Sequence, residues 1–301
     1  MKSLRLFIRL TRPHFLISGF LFYALGAGIA HFLGITINWA IYLLGQFWGT
    51  LLQLSVHFLN EYFDASGDVN NPNRTSLTGG SGALGPGKLP RATAFWSAVS
   101  CLVVVASLTV LLIWEVHPNI SIVFFMVLIF LGAFFYAVPP VRLESTGYGE
   151  LTTAILIANL VPGFALLLQT RELHRLLPMS TFPLTFLGLA TLLAFELPDY
   201  GTDLKYNKRT LMVRIGWQAG MNLHNFLILF SYILLGLAVV LGLPFNIAWP
   251  AFLSLPVGLL QIWLMNRIAA GIKPNWFALT VTAGASFFLM AYLLTYSFWI
   301  R

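Results

Sequence analysis

Nine apolar stretches run through this chain, near 14–33, 39–62, 92–114, 119–137, 151–170, 180–197, 219–242, 247–267 and 275–299. Each has about 18–24 residues, enough α-helix to cross a ~30 Å hydrocarbon core at ~1.5 Å per residue. Apolar runs of this length cross as helices, because the bilayer interior offers no water to unpaired backbone groups. Only 9% of the 301 residues are charged, against roughly 25% in a soluble domain. The expected fold class is therefore all-α, a polytopic membrane bundle of nine transmembrane helices around a central cavity, forming one domain over 1–301. Lys2, Arg5, Arg9 and Arg12 before the first run imitate a signal peptide. That run is long for a signal core and many more follow, so it is read as a span.

The basic residues set an expected orientation. With the N-terminus in the cytoplasm, fourteen of the seventeen Lys and Arg fall on that side, leaving Arg171, Arg175 and Arg301 on the other. The positive-inside bias then places the loops after the second, fourth and sixth spans in the cytoplasm and the C-terminus opposite. Trp39, Trp114 and Trp249 fall near one interface and Trp96, Trp217 and Trp276 near the other, as aromatic belts require. The net charge of +7 is spread over span ends rather than gathered in one stripe. This argues against nucleic acid and for membrane lipids and an anionic substrate. Cys101 is the sole cysteine, which excludes an intrachain disulfide and a cysteine-based zinc site.

Two acidic clusters stand out among only ten Asp and Glu. Asn60, Asp64 and Asp68 follow i, i+4, i+8 spacing at the end of the second span, and Asp199 and Asp203 repeat the i, i+4 relation after the sixth. Each step of four turns a helix by only about 40°, so each set shares a face. Like charges so spaced repel, and carboxylates near hydrocarbon are costly unless paired or holding a cation. Oxygen-only donors suit Mg²⁺, which commonly takes one or two carboxylates together with substrate phosphates. Asn60, Asp64, Asp68, Asp199 and Asp203 are the expected metal ligands, and a phosphorylated substrate is implied. Asn60, Asp64, Asp199 and Asp203 are the expected catalytic core. The blander alternative, helix capping or solvated loops, suits either cluster alone better than both together.

Cations accompany the acids. Lys205, Lys208 and Arg209 follow the second cluster, Arg74 and Lys88 follow the first, and Tyr136 and Arg142 bracket Pro139-Pro140 between them. Such groups beside a metal clamp phosphate oxygens, although positive-inside topology alone also accounts for basic loops. His57 shares the face of Asn60 and reads first as a hydrogen-bonded interior histidine, second as a substrate contact. Glu61 turns away from Asn60 by about 100° and is no ligand. Glu196 stands one turn before Asp199, within reach of the site, and Pro198 ends or kinks the sixth helix. Arg12, His57 and Glu196 are weaker candidates for contacting a second substrate. Phe58 and Tyr62 offer π faces to a cation, but packing is the commoner use of any one ring. Gly82-Ala83-Leu84-Gly85-Pro86-Gly87-Lys88 fits G-x-x-x-x-G-K, yet Leu89 stands where a phosphate loop needs Ser or Thr. These glycines read instead as a mobile loop that orders over a ligand.

With these residues in place, the chain resembles the UbiA superfamily of intramembrane prenyltransferases. The resemblance covers nearly the whole length: nine apolar spans, Asn-x-x-x-Asp-x-x-x-Asp after the second, Asp-x-x-x-Asp after the sixth, Arg12-Pro13, and Tyr136-Ala137-Val138-Pro139-Pro140-Val141-Arg142. Asn60-Glu61-Tyr62-Phe63-Asp64, Gly147-Tyr148-Gly149-Glu150 and the stretch from Lys208 to Gly216 look similar to its menaquinone-pathway branch. Phe195, Glu196 and Pro198 depart from the usual polar residues there. The resemblance implies Mg²⁺-dependent transfer of a polyprenyl group from a polyprenyl diphosphate to an aromatic acceptor, 1,4-dihydroxy-2-naphthoate in that branch. Other acceptors in the superfamily are 4-hydroxybenzoate, homogentisate, a tetrapyrrole or a glycerol phosphate lipid. Two rivals remain from outside the enzyme class. An ion-coupled transporter predicts carboxylates deep within spans, whereas these lie at span ends. An inactive isoprenoid-binding protein does not need intact acidic motifs.

Overall fold

The computed structural model describes residues 2–68, 72–75 and 77–301, and only the backbone of 66–68. A short α1 (Lys2–Leu10) precedes the bundle. The long helices are α2 (Pro13–Phe32), α3 (Trp39–Asp68), α4 (Arg91–Val116) and α5 (Ile120–Ala137). Next come α6 (Gly149–Ile155) and α7 (Val161–Thr170), joined by a π-helical turn over Leu156–Leu160 into one rod. The second part comprises α8 (Leu176–Glu196), two short helices α9 (Tyr200–Lys205) and α10 (Leu211–Ile215), α11 (Trp217–Val240), a short α12 (Phe245–Ala248), α13 (Leu255–Ala269) and α14 (Trp276–Trp299). Among the described residues the only β pairing is an isolated bridge between Leu84 and Leu89.

Among the described residues, eight segments are long and apolar enough to cross a membrane. The expected second span, α3, is not among them, although its 30 residues exceed the length required. Gln46, Gln53, His57, Asn60 and Glu61 dilute its apolar run and serve internal contacts instead. The Gln53 amide, for example, donates to the Phe15 carbonyl at 2.8 Å.

Local chemistry sets the helix ends. Pro13 opens α2, where its missing N–H costs nothing. The side chains of Asn119 and Asn275 cap α5 and α14 by accepting from Ile122 N and Ala278 N. Pro198 acts as expected: α8 stops at Glu196, a 3₁₀ turn covers Leu197–Asp199, and α9 departs from there.

Packing relies on close backbone approach and sparse polar contacts. A Cβ on Gly26 of α2 would lie 1.9 Å from the Pro162 carbonyl oxygen of α7, so only glycine admits this crossing. The Trp48 indole donates to Thr109 Oγ1 at 2.8 Å between α3 and α4. One apolar core joins α2, α8, α11, α13 and α14, and a second joins α3, α4, α5 and α7. Large apolar side chains such as Val110, Phe124, Phe226 and Val240 stay exposed, as a lipid-facing surface requires. Trp39, Trp96, Trp114, Trp217 and Trp249 are exposed near helix ends. Alternating helix directions bring the end of α3, the α5–α6 loop and the α8–α10 region to one end of the bundle.

Candidate functional site

The site is built around Asp64, in the last turns of α3. Arg142 Nη2 lies 2.6 Å from Asp64 Oδ1, and Lys208 Nζ lies 2.7 Å from Oδ2. Arg142 comes from the α5–α6 loop and Lys208 from the α9–α10 loop, so three remote segments meet on one carboxylate. The same Arg142 nitrogen is 2.9 Å from Glu144 Oε1, and Lys208 is 3.9 Å from Glu144 Oε2. The Asn60 amide donates to Glu144 and lies 3.5 Å from Asp64. Asn60, Asp64, Arg142, Glu144 and Lys208 thus form one network, with Tyr136 close enough to feel the charges of Glu144 and Lys208.

Burial decides the electrostatics here. The Glu144 side chain is 1% exposed, and burial raises its pKa from 4.5 to about 7. Lys208 and Arg142 pull it down and the Asp64 charge pushes it up. Burial disfavours the Lys208 ammonium, but the carboxylates of Asp64, Glu144 and Asp203 outweigh that and hold its pKa well above 10.5. Arg142 is likewise raised: burial opposes its charge and Glu144 and Asp64 overcome it. Lys208 and Arg142 keep 27% and 31% of their side-chain surface open to solvent, so both can meet an incoming anion.

The second cluster lies beside the first. Asp199 and Asp203 are half-buried at the start of α9. The Asn73 amide donates to the Pro198 carbonyl at 3.1 Å, tying the loop after α3 to this turn. Lys208 N donates to the Asp203 backbone carbonyl at 2.9 Å, and the Asp203 carboxylate is near enough to act on the Lys208 ammonium. Arg209 N donates to Ser145 O at 3.2 Å, docking this loop on the one carrying Glu144. Among the described residues, no three Asp, Glu, His or Cys side chains gather closely enough to hold a metal alone. Of the five expected ligands, Asn60 and Asp64 share one network, and the Asp203 carboxylate is near enough to Lys208 to act on its charge. Asp68 lies outside the residues whose side chains are described.

The remaining candidates divide. Lys205 and Arg209 are exposed on the same end of the bundle. Arg74 Nε donates to Gly79 O at 2.6 Å and Lys88 Nζ to Gly82 O at 2.9 Å, so both brace the glycine loop. At Gly82, with φ +64, a Cβ would lie 2.2 Å from Arg74 Nη1. His57 Nδ1 pairs with the Thr11 carbonyl at 3.0 Å, the interior role expected first. Arg12 is bound to Glu61, which also accepts from Ser81 N and Ser81 Oγ at 2.6 Å each. This latch joins α2, α3 and the glycine loop, and it explains why Glu61 faces away from Asn60. Glu196 accepts from Met212 N at 3.1 Å. Phe58 packs on Phe7, and Tyr62 lies under Arg91 at 4.1 Å, so both rings serve packing.

Glu144 was missed by reasoning from sequence. Its signal was slight: one of ten acids, two residues beyond Arg142, in a loop already marked as functional. Nothing in its spacing predicts that it folds back beside Asn60.

Fold and site together define a multi-pass membrane protein with a charged centre at one end of its helices, the class of intramembrane transferases. The chain belongs to the UbiA prenyltransferase family, whose model matches residues 16–278. Solved structures share the fold at low identity. A UbiA homologue from Archaeoglobus fulgidus bound to DMAPP and Mg²⁺ is 19% identical with a TM-score of 0.71, over 100% of this chain and 99% of that one. The homologue bound to GPP and Mg²⁺ is 18% identical with a TM-score of 0.70, over 98% and 100%. A digeranylgeranylglyceryl phosphate synthase is 18% identical with a TM-score of 0.60, over 100% and 98%. A search of curated proteins found no match.

Proposed function

We propose that this prenyltransferase moves a polyprenyl group from a polyprenyl diphosphate to 1,4-dihydroxy-2-naphthoate, an aromatic acceptor of menaquinone biosynthesis, with Mg²⁺ as cofactor. The observation that carries this reading is the Asp64–Arg142–Lys208 contact, where two remote loops bring positive charge against a carboxylate at the end of α3. Family membership supports the donor class, and the stretches at 60–64, 147–150 and 208–216 support the acceptor. The positive-inside distribution supports a cytoplasmic N-terminus and site, with the C-terminus opposite.

The donor set fits Mg²⁺. Asp64 and Glu144 bring hard carboxylate oxygens into one network, bridged by the Asn60 amide NH2, and the Lys208 ammonium stands against both carboxylates as a bound cation would. Asp68, Asp199 and Asp203 are the further ligands in this reading. When bound by these residues, Mg²⁺ would supply Lewis-acid neutralisation of the diphosphate charge. Arg142 and Lys208 bind phosphate oxygens through charge-assisted hydrogen bonds, and Lys205, Arg209, Arg74 and Lys88 add positive charge around them. The apolar bundle keeps water from the allylic cation while the aromatic carbon attacks; diphosphate departs, and the attacked carbon restores aromaticity by releasing its proton or, if it bears the carboxylate, CO2.

Product mass spectrometry tests the assignment. The purified protein is given donors of several chain lengths and mixed acceptors, with Mg²⁺ and with a chelator. A prenylated dihydroxynaphthalene, with its carboxylate kept or released as CO2, that forms only with Mg²⁺ is the expected result. Product on 4-hydroxybenzoate, homogentisate, a tetrapyrrole or a glycerol phosphate lipid instead would reassign the acceptor. Transfer to none of them would end the proposal.

A further inference from the structure

Glu150 and Glu196 come from the first turn of α6 and the last residue of α8. They meet at the start of α10. Leu211 N donates to Glu150 Oε1 at 2.9 Å, and the next amide, Met212 N, donates to Glu196 Oε2 at 3.1 Å. Two consecutive backbone donors thus draw two carboxyl groups side by side, near enough for each to feel the other. Glu150 is 5% exposed, and its Oε2 is buried with no nitrogen or hydroxyl donor. The titratable neighbours are Tyr136 of α5 and Asp203 of α9, with Glu144 and Lys208 beyond Tyr136. Lys208 is engaged by Asp64, and Arg214 of α10 lies over the Tyr148 ring at 5.3 Å. Two buried carboxylates held side by side repel unless a proton lies between them. One proton held between them supplies the donor that Glu150 Oε2 lacks.

We propose that Glu150 and Glu196 form a proton-sharing pair that positions the Lys208–Met212 segment. Lys208 lies three residues before the first clamped amide. Arg209 N is fixed to Ser145 O, and Thr210 caps Val213 N. With Leu211 and Met212 held as well, the backbone under Lys208 is anchored, and its Nζ is delivered to Asp64. The pair touches no substrate; it acts through Lys208. Loss of the shared proton at alkaline pH leaves two repelling carboxylates and frees the segment.

The test compares the full-length protein with Glu150→Gln and Glu150→Ala, following amide hydrogen exchange of residues 208–213 and steady-state kinetics across pH. Gln accepts from Leu211 N and donates to Glu196 without a titrating proton. Glu150→Gln is expected to keep exchange and KM for the prenyl diphosphate within about twofold of the parent, and to keep them at alkaline pH where the parent loses both. Glu150→Ala is expected to speed exchange and raise KM about tenfold, with kcat changing far less. If Glu150→Gln loosens the segment as much as Ala does, or follows the parent's alkaline loss, the pair is overturned. Should the Ala variant fail to fold, the Gln pH comparison decides alone. The kinetic arm rests on the proposed transfer reaction and the exchange arm does not, so a parent inactive toward every donor leaves the exchange result to judge the pair.

Discussion

Lys208 Nζ lies 2.7 Å from Asp64 Oδ2, joining residues 144 positions apart. Asp64 belongs to the acidic cluster that ends α3, and Lys208 follows the cluster at the start of α9. Their contact brings the two polar ends of the chain into one site. Arg142 completes it from a third loop, so each cation is held by carboxylate and remains open on its other side.

Asp64→Ala removes the carboxylate shared by Arg142 and Lys208 and leaves Glu144 alone against two cations. Transfer is expected to fall at least ~100-fold, while the protein still inserts and elutes as one species. Asp199→Ala is expected to behave likewise. Full activity in either purified, folded variant would count heavily against the site.

Lys208→Met removes one positive charge from the proposed diphosphate position. KM for the prenyl diphosphate is expected to rise about 10–100-fold. Lys208→Arg should recover part of the loss, since charge is kept and geometry is not. Initial rates over a donor series measure both.

Glu144 provides a pH signature. Its folded pKa of about 7 exceeds the ordinary 4.5, so the folded state holds the proton more tightly than the unfolded state. The linked stability is full below about 4.5 and is lost as pH rises to about 7. Glu144→Gln cannot ionise. Its melting temperature relative to the parent should therefore rise through that window, and a constant difference would refute the assignment.

Glu61→Ala leaves Arg12 and two Ser81 donors without their shared acceptor. Glu61 and Arg12 are 4% and 17% exposed at the side chain. Breaking such a pair costs about 3–5 kcal/mol, so a clear drop in thermal stability is expected. A variant as stable as the parent would show the latch to be idle.

Gly26→Ala places a methyl group against the Pro162 carbonyl oxygen. Parting α2 from α7 costs about 1–3 kcal/mol. Lower thermal stability with an unchanged KM is expected, because the crossing lies away from the charged network.

Much of this was legible in the sequence because it is local. Apolar run length marks the spans, and i, i+4 spacing puts Asn60 and Asp64 on one face of α3. Pro198 breaks α8 where its chemistry requires. The turn of about 100° between adjacent residues separated Glu61 from its neighbour Asn60. The second span was the exception, since polar residues that serve internal contacts made α3 less apolar than the others.

What the sequence by itself determined is the set of membrane helices and the gathering of acids and cations at one end. Both follow from hydrophobic burial and helical periodicity, which act over a few turns. Only the tertiary structure decided which cation meets which acid: Lys208 and Arg142 on Asp64, Arg12 on Glu61, and Glu144 folded in beside Asn60. Those pairings depend on how distant helices pack and where their loops cross, and no spacing along the chain encodes that.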